Sequence, residues 1–298
     1  GTTLGAARGP QPGDVMSSTL GYLGRHPLAR RRPHLTYWRF ARWQVESRLR
    51  RDVLVSWGDD AKLIDSNGMT GATGNIYCGL HEFADMAFTL HLLRPEDLFV
   101  DVGANVGSYT VLASAVCGAK TIRIEPDPET ANHLGRNIGA NRVEDRVQVV
   151  ESSVGAASGM VRFSVGRDTT NHVLEAGDDT GCEIVVEPLD TIVGEGTPTL
   201  IKIDVEGYEP HVVAGAHRVL AQPTLRALLI ETVDEEILAQ LTGVGFRRAR
   251  YEPFSRRLDW ADAVVAPATG NTLFVRDLET CRARIAAAPR RRVLGQMI

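Results

Sequence analysis

The feature that most constrains this chain is an apolar run followed at once by a glycine turn and a helical pattern. Residues 98–111 read LFVDVGANVGSYTV, in which three apolar residues lead into Asp101, Gly103 and Gly107. Apolar residues at helical spacing follow. Such a turn lets a ligand approach the backbone, and the start of the helix presents free N–H groups to it. The segment therefore predicts a buried strand that ends at a ligand site.

Two ligands compete for this turn. The dinucleotide fingerprint G-x-G-x-x-G cradles a pyrophosphate, whereas this chain has G-x-N-x-G with Asn105 at its centre. Asp101 precedes the first glycine by two residues, and a carboxylate there repels a pyrophosphate but suits an ammonium group. Glu125 ends a second apolar run, at the spacing of an acid that binds ribose hydroxyls. The acid–turn–acid set favours S-adenosylmethionine over NAD.

Composition sets broad limits. The chain has 298 residues, enough for one large domain or a domain with an appendage, and 43% of them are apolar. The formal net charge of −4 gives no general reason to expect nucleic acid. Four cysteines lie far apart without a C-x-x-C pair, which is typical of reduced thiols in a cytoplasmic protein. No apolar run reaches the roughly 18 residues that a membrane span needs.

The first eighty residues differ from the rest. Residues 1–24 are rich in Gly, Pro, Ser and Thr and are predicted to be poorly ordered. Residues 25–51 are rich in arginine with aromatic residues between, and Phe40, Trp43 and Leu49 can share one helical face. This stretch is either a surface for phosphates, nucleic acid or an anionic membrane, or a docked amphipathic helix with solvated arginines. The second interpretation is favoured.

From residue 98 onward strands and helices alternate, which predicts a parallel sheet with helices on both faces. We place strands near 98–102, 120–124, 147–150, 200–204, 227–231, 245–251 and 272–276. Helices are expected near 106–117, 128–141, 210–220 and 235–243. A polar insertion, 155–196, carries two antiparallel strands, and a hairpin over 53–64 and a helix over 76–93 precede the sheet.

Acids follow several of the predicted strands. In an open parallel sheet the ligand lies beyond the carboxyl ends of the strands, and these ends carry Asp101, Glu125, Glu151, Asp204 and Glu231. A second dense motif, IKIDVEGYE, places Asp204 and Glu206 beside the expected reacting centre. Glu206 could instead cap the helix that follows. Lys202, unusual in a buried strand, is expected to pair with an acid of this row.

Five ordered motifs resemble the FkbM-type S-adenosylmethionine-dependent methyltransferases: VDVGANVGSYT, IEPDPETANHLGRNIGAN, VEPLDTI, IKIDVEGYEPHVVAGAHRVL and LLIET. The resemblance covers about residues 82–231. It implies an α/β class I methyltransferase (Rossmann-like) fold, a three-layer sandwich around a seven-stranded, mostly parallel sheet whose last strand is antiparallel. Residues 81–298 would form this domain, and residues 25–80 an N-terminal extension of helix and hairpin.

The resemblance also implies the residues that hold S-adenosylmethionine. Ser152 and Ser153 replace the small apolar residue that the family usually has near the adenine. The expected cofactor-binding residues are Glu82, Asp101, Gly103, Asn105, Gly107, Glu125, Pro126, Ser152, Ser153 and Asp204.

Methyl transfer from a sulfonium is an in-line displacement in which the enzyme mainly aligns the reactants. A hydroxyl is a poor nucleophile, so a base should take its proton. The candidates are Asp204, Glu206, His172 in the polar insertion, and His81. Asp204 and Glu231 end adjacent strands, which would also suit a divalent metal that binds a diol, although a metal is not favoured.

Three function classes remain open. The resemblance favours O-methylation of a small acceptor, a sugar, glycoside or polyketide-like metabolite. N-methylation of an amino sugar or amine would need no strong base. A nucleic-acid-binding protein that uses residues 25–51 is the third class, and its affinity would fall steeply with salt.

Overall fold

The computed structural model describes residues 12–50, 52–66, 73–163, 182–261 and 270–298. Within these ranges no helix has the length and apolar content that crossing a membrane requires. The three cysteines whose side chains are described, Cys78, Cys117 and Cys281, are free thiols. The cytoplasmic location that the cysteines suggest stays a prediction.

The described part of the chain starts with three helices and a hairpin. The helices are α1 (Pro12–Arg25), α2 (Pro27–Arg31) and α3 (Pro33–Leu49), and the strands are β1 (Asp52–Gly58) and β2 (Ala61–Ser66). Proline stands in the first turn of α2 and of α3, where its missing N–H costs no helical hydrogen bond. Helix α1 lies largely inside the segment 1–24, which the sequence predicts to be poorly ordered. Although the segment is rich in Gly and Ser, it forms a helix, and Leu23 of this helix is buried in a cluster with Trp43.

The arginine-rich helix α3 is docked on the rest of the chain. Trp43 is buried, Phe40 packs beside it, and Arg39 Nη2 donates to the carbonyl oxygen of Leu294 at 2.8 Å. Leu49 does not share this face and is 78% exposed. It follows Trp43 by about one and two-thirds helical turns, which turns it away from the packed side.

Two helices stand where one was predicted over 76–93. They are α4 (Thr73–Cys78) and α5 (Phe83–Leu92). Gly79 separates them with a φ of +98°, a left-handed conformation that ends a helix and that glycine adopts without strain.

A sheet of eight strands forms the centre. Its first three strands are β3 (Leu98–Val102), β4 (Lys120–Ile124) and β5 (Val147–Val150). A small sheet follows, with β6 (Ser153–Val154), β7 (Gly159–Phe163) and β8 (Cys182–Glu187). The remaining central strands are β9 (Leu200–Ile203), β10 (Ala227–Ile230), β11 (Arg247–Glu252), β12 (Arg257–Trp260) and β13 (Thr272–Val275).

The order of the central sheet is β12-β11-β13-β10-β9-β3-β4-β5. Strands β3, β4, β5, β9 and β10 are parallel, and β13 runs antiparallel to β10 and β11. This topology confirms the class I methyltransferase fold. The seven-stranded count is corrected to eight because β12 turns back on β11 as an antiparallel hairpin partner.

Helices cover both faces of this sheet. They are α6 (Ser108–Val111), continued by a π-helix (Leu112–Val116), α7 (Pro128–Asn141), α8 (Leu189–Val193), α9 (Glu209–Ala214), α10 (His217–Ala221), α11 (Glu235–Gly243) and α12 (Leu278–Ala286). Alternate residues of β10 show the layering: Ala227 and Leu229 belong to one buried cluster, Leu228 and Ile230 to the other. The predicted helix over 210–220 is divided between α9 and α10.

The two ends of the chain meet. Strands β14 (Arg292–Val293) and β15 (Gln296–Met297) complete a four-stranded sheet in the order β15-β14-β1-β2. The N-terminal hairpin is thus held by the last residues of the chain. The division into segments 25–80 and 81–298 stays a proposal.

Candidate functional site

A cavity of about 440 Å³ opens at the carboxyl ends of the central parallel strands, within the roughly 300–1,000 Å³ that is typical of small-molecule sites. Its wall combines residues from the turns after β3, β4 and β9. The sequence-predicted residues that line it are Glu82, Gly103, Asn105, Glu125, Pro126, Ser152, Ser153, Asp204 and Glu206. His81, Tyr109, Lys202 and Glu231 line it as well.

The glycine turn after β3 is fastened to its neighbouring strands by the backbone. Gly103 N and Ala104 N donate to the carbonyl oxygen of Ile124 at 3.1 and 3.0 Å. Gly103 has a φ of +75°, and a Cβ added there would lie 1.8 Å from the backbone oxygen of Asp204. Glycine is therefore required at 103 because two turns of the cavity wall touch at that point.

Gly107 serves packing instead of the cavity. Its φ is +88°, and an added Cβ would lie 2.8 Å from Cγ of Leu134 in α7. Gly107 is absent from the cavity wall. Its missing side chain makes room for a helix behind the turn, and the expected contact of Gly107 with the cofactor stays a prediction.

Glu125 braces the turn. Its buried carboxylate accepts a hydrogen bond from Asn105 N at 2.9 Å through Oε2 and from Asp127 N at 3.0 Å through Oε1. Burial raises the pKa of Glu125 to about 7, although these two N–H groups act in the opposite direction. A carboxylate oxygen has two lone pairs, so each oxygen keeps one for a ribose hydroxyl.

Asp101 lies behind the cavity wall. Thr110 Oγ1 donates to its Oδ2 at 2.7 Å, and Lys202 is its register partner on β9. Burial raises the pKa of Asp101, opposed by Lys202 and Thr110. Asp101 does not line the cavity, and its expected contact with an ammonium group stays a prediction. The Asp101 side chain lies on the same face of the sheet as that of Lys202, because the two residues are register partners on neighbouring parallel strands.

Lys202 joins the acids on the other side of the cavity. Its Nζ lies 2.5 Å from Asp204 Oδ2 and 4.9 Å from the centre of the Tyr109 ring. Tyr109 in turn donates its hydroxyl to Glu82 Oε2 at 2.7 Å. Burial acts to lower the pKa of Lys202, but Asp204, Glu82 and Asp101 outweigh it and raise that pKa. The predicted pairing of Lys202 with an acid is confirmed, and the lysine stays charged.

Asp204 and Glu231 form a carboxyl pair that shares a hydrogen bond. Burial and the charge of Asp204 raise the pKa of Glu231 to about 8. Burial opposes ionisation of Asp204, but Lys202 and the hydrogen bond from Glu231 lower its pKa. At neutral pH Asp204 is therefore the carboxylate of the pair and Glu231 the protonated acid.

The other predicted catalytic residues have different outcomes. Glu206 lines the cavity with a φ of +51°. The N-cap residue of α9 is Tyr208, not Glu206, and the Tyr208 side chain forms no capping hydrogen bond. His172 lies outside the described residues. Among the residues that the structure describes, no group of three or more His, Cys, Asp or Glu is arranged to hold a metal ion.

Sequence reasoning assigned no function to three residues in or beside the cavity, Tyr109, Lys202 and Tyr22. Tyr109 reads as a core residue of an apolar helix face, and its hydroxyl contact with Glu82 is visible only in three dimensions. Lys202 stood out as a charge inside an apolar strand. That pattern predicted pairing with an acid but indicated no function. Tyr22, which contacts His81, falls in the segment predicted to be poorly ordered.

Comparisons with known proteins agree with this geometry. Residues 101–248 match the methyltransferase FkbM domain. The chain is 27% identical over 123 residues to the hexuronic acid methyltransferase AglP of Haloferax volcanii, covering 40% of this chain and 50% of that protein. It is 29% identical over 207 residues to the 31-O-demethyl-FK506 methyltransferase FkbM of Streptomyces tacrolimicus, covering 55% of this chain and 78% of that protein.

The match thus spans only half the length of AglP. Among solved structures, the crystal structure of a methyltransferase FkbM from Methylobacillus flagellatus is similar, with 20% identity and a TM-score of 0.43 over 68% of this chain and 52% of that chain. The matched domain begins at Asp101 on β3 and includes the glycine turn, Glu125 and Asp204. The chain therefore belongs to the FkbM-type family of S-adenosylmethionine-dependent methyltransferases.

Proposed function

We propose that this chain transfers the methyl group of S-adenosylmethionine to a hydroxyl of a sugar, glycoside or polyketide-like metabolite. The observation that carries the proposal is the ionised Asp204, fixed by Lys202 on the cavity wall. A carboxylate held there can accept a hydrogen bond from the acceptor and so orient it. The names of the two relatives, which specify a hexuronic acid and an O-demethylated FK506, support acceptors of this kind.

The residues present fit the cofactor. Glu125 keeps acceptor capacity for ribose hydroxyls, and Asn105 and Ser152 lie on the same wall. The Ser152 hydroxyl is a buried polar atom with no partner in the described part of the chain, so a polar group of a ligand would satisfy it. When bound, S-adenosylmethionine supplies a methyl group activated by its sulfonium. Glu125, Asn105 and Ser152 would hold the nucleoside.

On the acceptor side the chain's own groups orient the nucleophile. Lys202 fixes one oxygen of Asp204, and Glu231 hydrogen-bonds the carboxylate. Both contacts stabilise the ionised form, which makes Asp204 a good hydrogen-bond acceptor and a weak base. We therefore assign Asp204 to holding the acceptor in line through a hydroxyl next to the reacting one, a role that contributes through alignment. Glu206 stays a second candidate on the same wall.

The experiment incubates the chain with methyl-labelled S-adenosylmethionine and acceptors that differ at one group. A neutral methyl glycoside, its amino-sugar counterpart and the corresponding uronic acid form a matched set, and mass spectrometry locates the label. The proposal expects label on a hydroxyl oxygen of the neutral glycoside or of a polyketide-like alcohol. Label confined to the amine would favour N-methylation, and label confined to the carboxylate would favour ester formation. Either result would overturn the proposal.

A further inference from the structure

Tyr22 of the N-terminal helix α1 contacts an imidazole on the cavity wall. Its hydroxyl oxygen lies 2.8 Å from Nδ1 of His81 and also 2.8 Å from the backbone carbonyl oxygen of His81. His81 lines the cavity, and the two rings lie 5.1 Å apart between their centres. A residue outside the matched methyltransferase domain thus touches a titratable group of the site.

Counting protons fixes the direction of both hydrogen bonds. A carbonyl oxygen can only accept, and the tyrosine hydroxyl has one proton, so that proton goes to the carbonyl oxygen of His81. The 2.8 Å contact with Nδ1 must then be donated by the ring, because two lone pairs would otherwise face each other. His81 therefore carries its proton on Nδ1, which leaves Nε2 with a free lone pair.

The neighbours of this contact do not change the assignment. Burial raises the pKa of Tyr22, so its hydroxyl stays protonated. The Cys78 thiol, also a neighbour of that hydroxyl, has a pKa raised by burial to about 12 and stays neutral. His26 Nε2 lies 2.7 Å from the carbonyl oxygen of Leu80 and 3.2 Å from that of His81, and it donates to these acceptors. Desolvation lowers the pKa of His81, and Glu82 opposes it.

The imidazole is also fixed in place by α4. Asn75 Oδ1 accepts from the backbone N–H of His81 at 2.8 Å, and Asn75 Nδ2 donates to Ser108 Oγ at 3.0 Å. A Cβ added at Gly74 would lie 2.2 Å from His81 Nδ1. The ring therefore occupies the space that a side chain at 74 would fill. In the described part of the chain Nε2 of His81 forms no hydrogen bond. The other polar groups of His81, which are its Nδ1, its carbonyl oxygen and its backbone N–H, all have hydrogen-bond partners.

We propose that Tyr22 is a positioning residue which holds the proton of His81 on Nδ1, so that Nε2 is the base that takes the acceptor's hydroxyl proton. This inference rests on the proposed O-methylation. As the acceptor oxygen bonds to the methyl carbon, the carbon–sulfur bond breaks with its electron pair left on sulfur, and the O–H proton passes to Nε2. The resulting imidazolium keeps its Nδ1–H bond to Tyr22 and then loses the Nε2 proton to solvent.

The direct test is nitrogen NMR of the full chain with labelled histidine. The chain has eight histidines, and His81→Gln identifies the signals of His81. We expect a protonated Nδ1 and an unprotonated Nε2 in the wild type. In Tyr22→Phe the pattern should shift toward the Nε2–H form, whereas Tyr37→Phe, which changes an exposed tyrosine of α3, should leave it unchanged. An Nε2–H form in the wild type, or no shift in Tyr22→Phe, overturns the inference.

Kinetic measurements distinguish a positioning role of Tyr22 from a purely structural role. In Tyr22→Phe we expect kcat to fall about tenfold, the loss of one hydrogen bond of ordinary strength, with KM for S-adenosylmethionine unchanged. Wild-type kcat should rise with pH through a value below 6.5, since neutral His81 is required. A fall in thermal stability with unchanged kcat and tautomer would show that Tyr22 is only structural.

A second variant keeps the test usable if Tyr22→Phe unfolds. Gly74→Ala leaves the tyrosine and the histidine in the chain but displaces the ring, so kcat should fall in the same way. The NMR measurement needs no acceptor. A wild type that shows the Nδ1–H form but methylates no hydroxyl would therefore refute the proposed function, and an active wild type with the Nε2–H form would refute only the role of Tyr22.

Discussion

The parts of the cavity that we propose as its cofactor side and its acceptor side are built from different kinds of contact. On the cofactor side, Gly103 and Ala104 donate to a neighbouring strand, and Glu125 is held by backbone N–H groups. On the acceptor side, Lys202 and Asp204 meet through charged side chains. The first side is fixed mainly by the backbone, so its shape should resist changes of charge, and pH should act there only through Glu125. The second depends on the ionisation of its members and should be sensitive to such changes.

The largest expected effect comes from the point where the two sides touch. Gly103→Ala places a Cβ 1.8 Å from the backbone oxygen of Asp204 in a left-handed conformation. Overpacking and left-handed strain together should lower the free energy of unfolding by about 3 kcal/mol or more, and cofactor affinity and turnover should fall together. Urea denaturation measures the free energy of unfolding.

Gly207→Ala is the matched control. Gly207 also has a positive φ, +92°, but nothing lies within 4 Å of an added Cβ. Gly207→Ala should lower the free energy of unfolding only by the left-handed strain, about 1–2 kcal/mol. Equal losses in the two variants would show that the contact between the two turns is unimportant.

The next largest effect should be confined to the cofactor side. Glu125→Ala removes the acceptor of two ribose hydrogen bonds, each worth roughly 1.5–3 kcal/mol when it involves a charged group. Hydrogen bonds to water recover part of this binding free energy. We therefore expect about a hundredfold weaker binding of S-adenosylmethionine in calorimetry. Glu129→Ala, an exposed acid four residues further along, should leave the affinity unchanged. An unaltered affinity in Glu125→Ala would remove the residue from the cofactor site.

A smaller effect of pH should separate the two sides further. The pKa of Glu125 is raised to about 7, and ribose hydroxyls prefer the ionised carboxylate. Below pH 7 binding must expel a proton, so affinity should increase about tenfold between pH 6 and pH 8. Calorimetric titrations of wild type and Glu125→Gln at both pH values check this, since the glutamine variant should lose the dependence. A flat wild-type profile would contradict the assignment.

The cofactor side could be predicted largely from the sequence because it is local. Strands β3, β4 and β5 and helix α7 lie where the periodicity places them, and Glu125 follows the turn at the spacing of a ribose acid. Within this stretch the sequence also predicts that Asp101 and Gly107 contact the cofactor, although neither lines the cavity. Spacing shows that a residue is near a turn, but the face toward which a side chain points depends on packing against neighbouring elements.

The acceptor side could be predicted only in part because its contacts join distant segments. Asp204 and Glu206 stood out in one motif, but the link from Lys202 through Tyr109 to Glu82 requires three elements to be folded together. Strand β12 was missed since its RLDW segment is short and has no clear alternation. Helix α1 was missed because burial of Leu23 stabilises it against its composition.

The most direct test of the account is the turnover of Asp204→Asn with a hydroxyl acceptor at saturating S-adenosylmethionine. Asparagine keeps the shape but removes the charge that Lys202 and Glu231 stabilise. Loss of alignment of the nucleophile should lower kcat about a hundredfold, while cofactor affinity changes little. Asp145→Asn, at an exposed position, should turn over like the wild type. Near-normal turnover of Asp204→Asn would contradict the claim that the acceptor side works through this carboxylate.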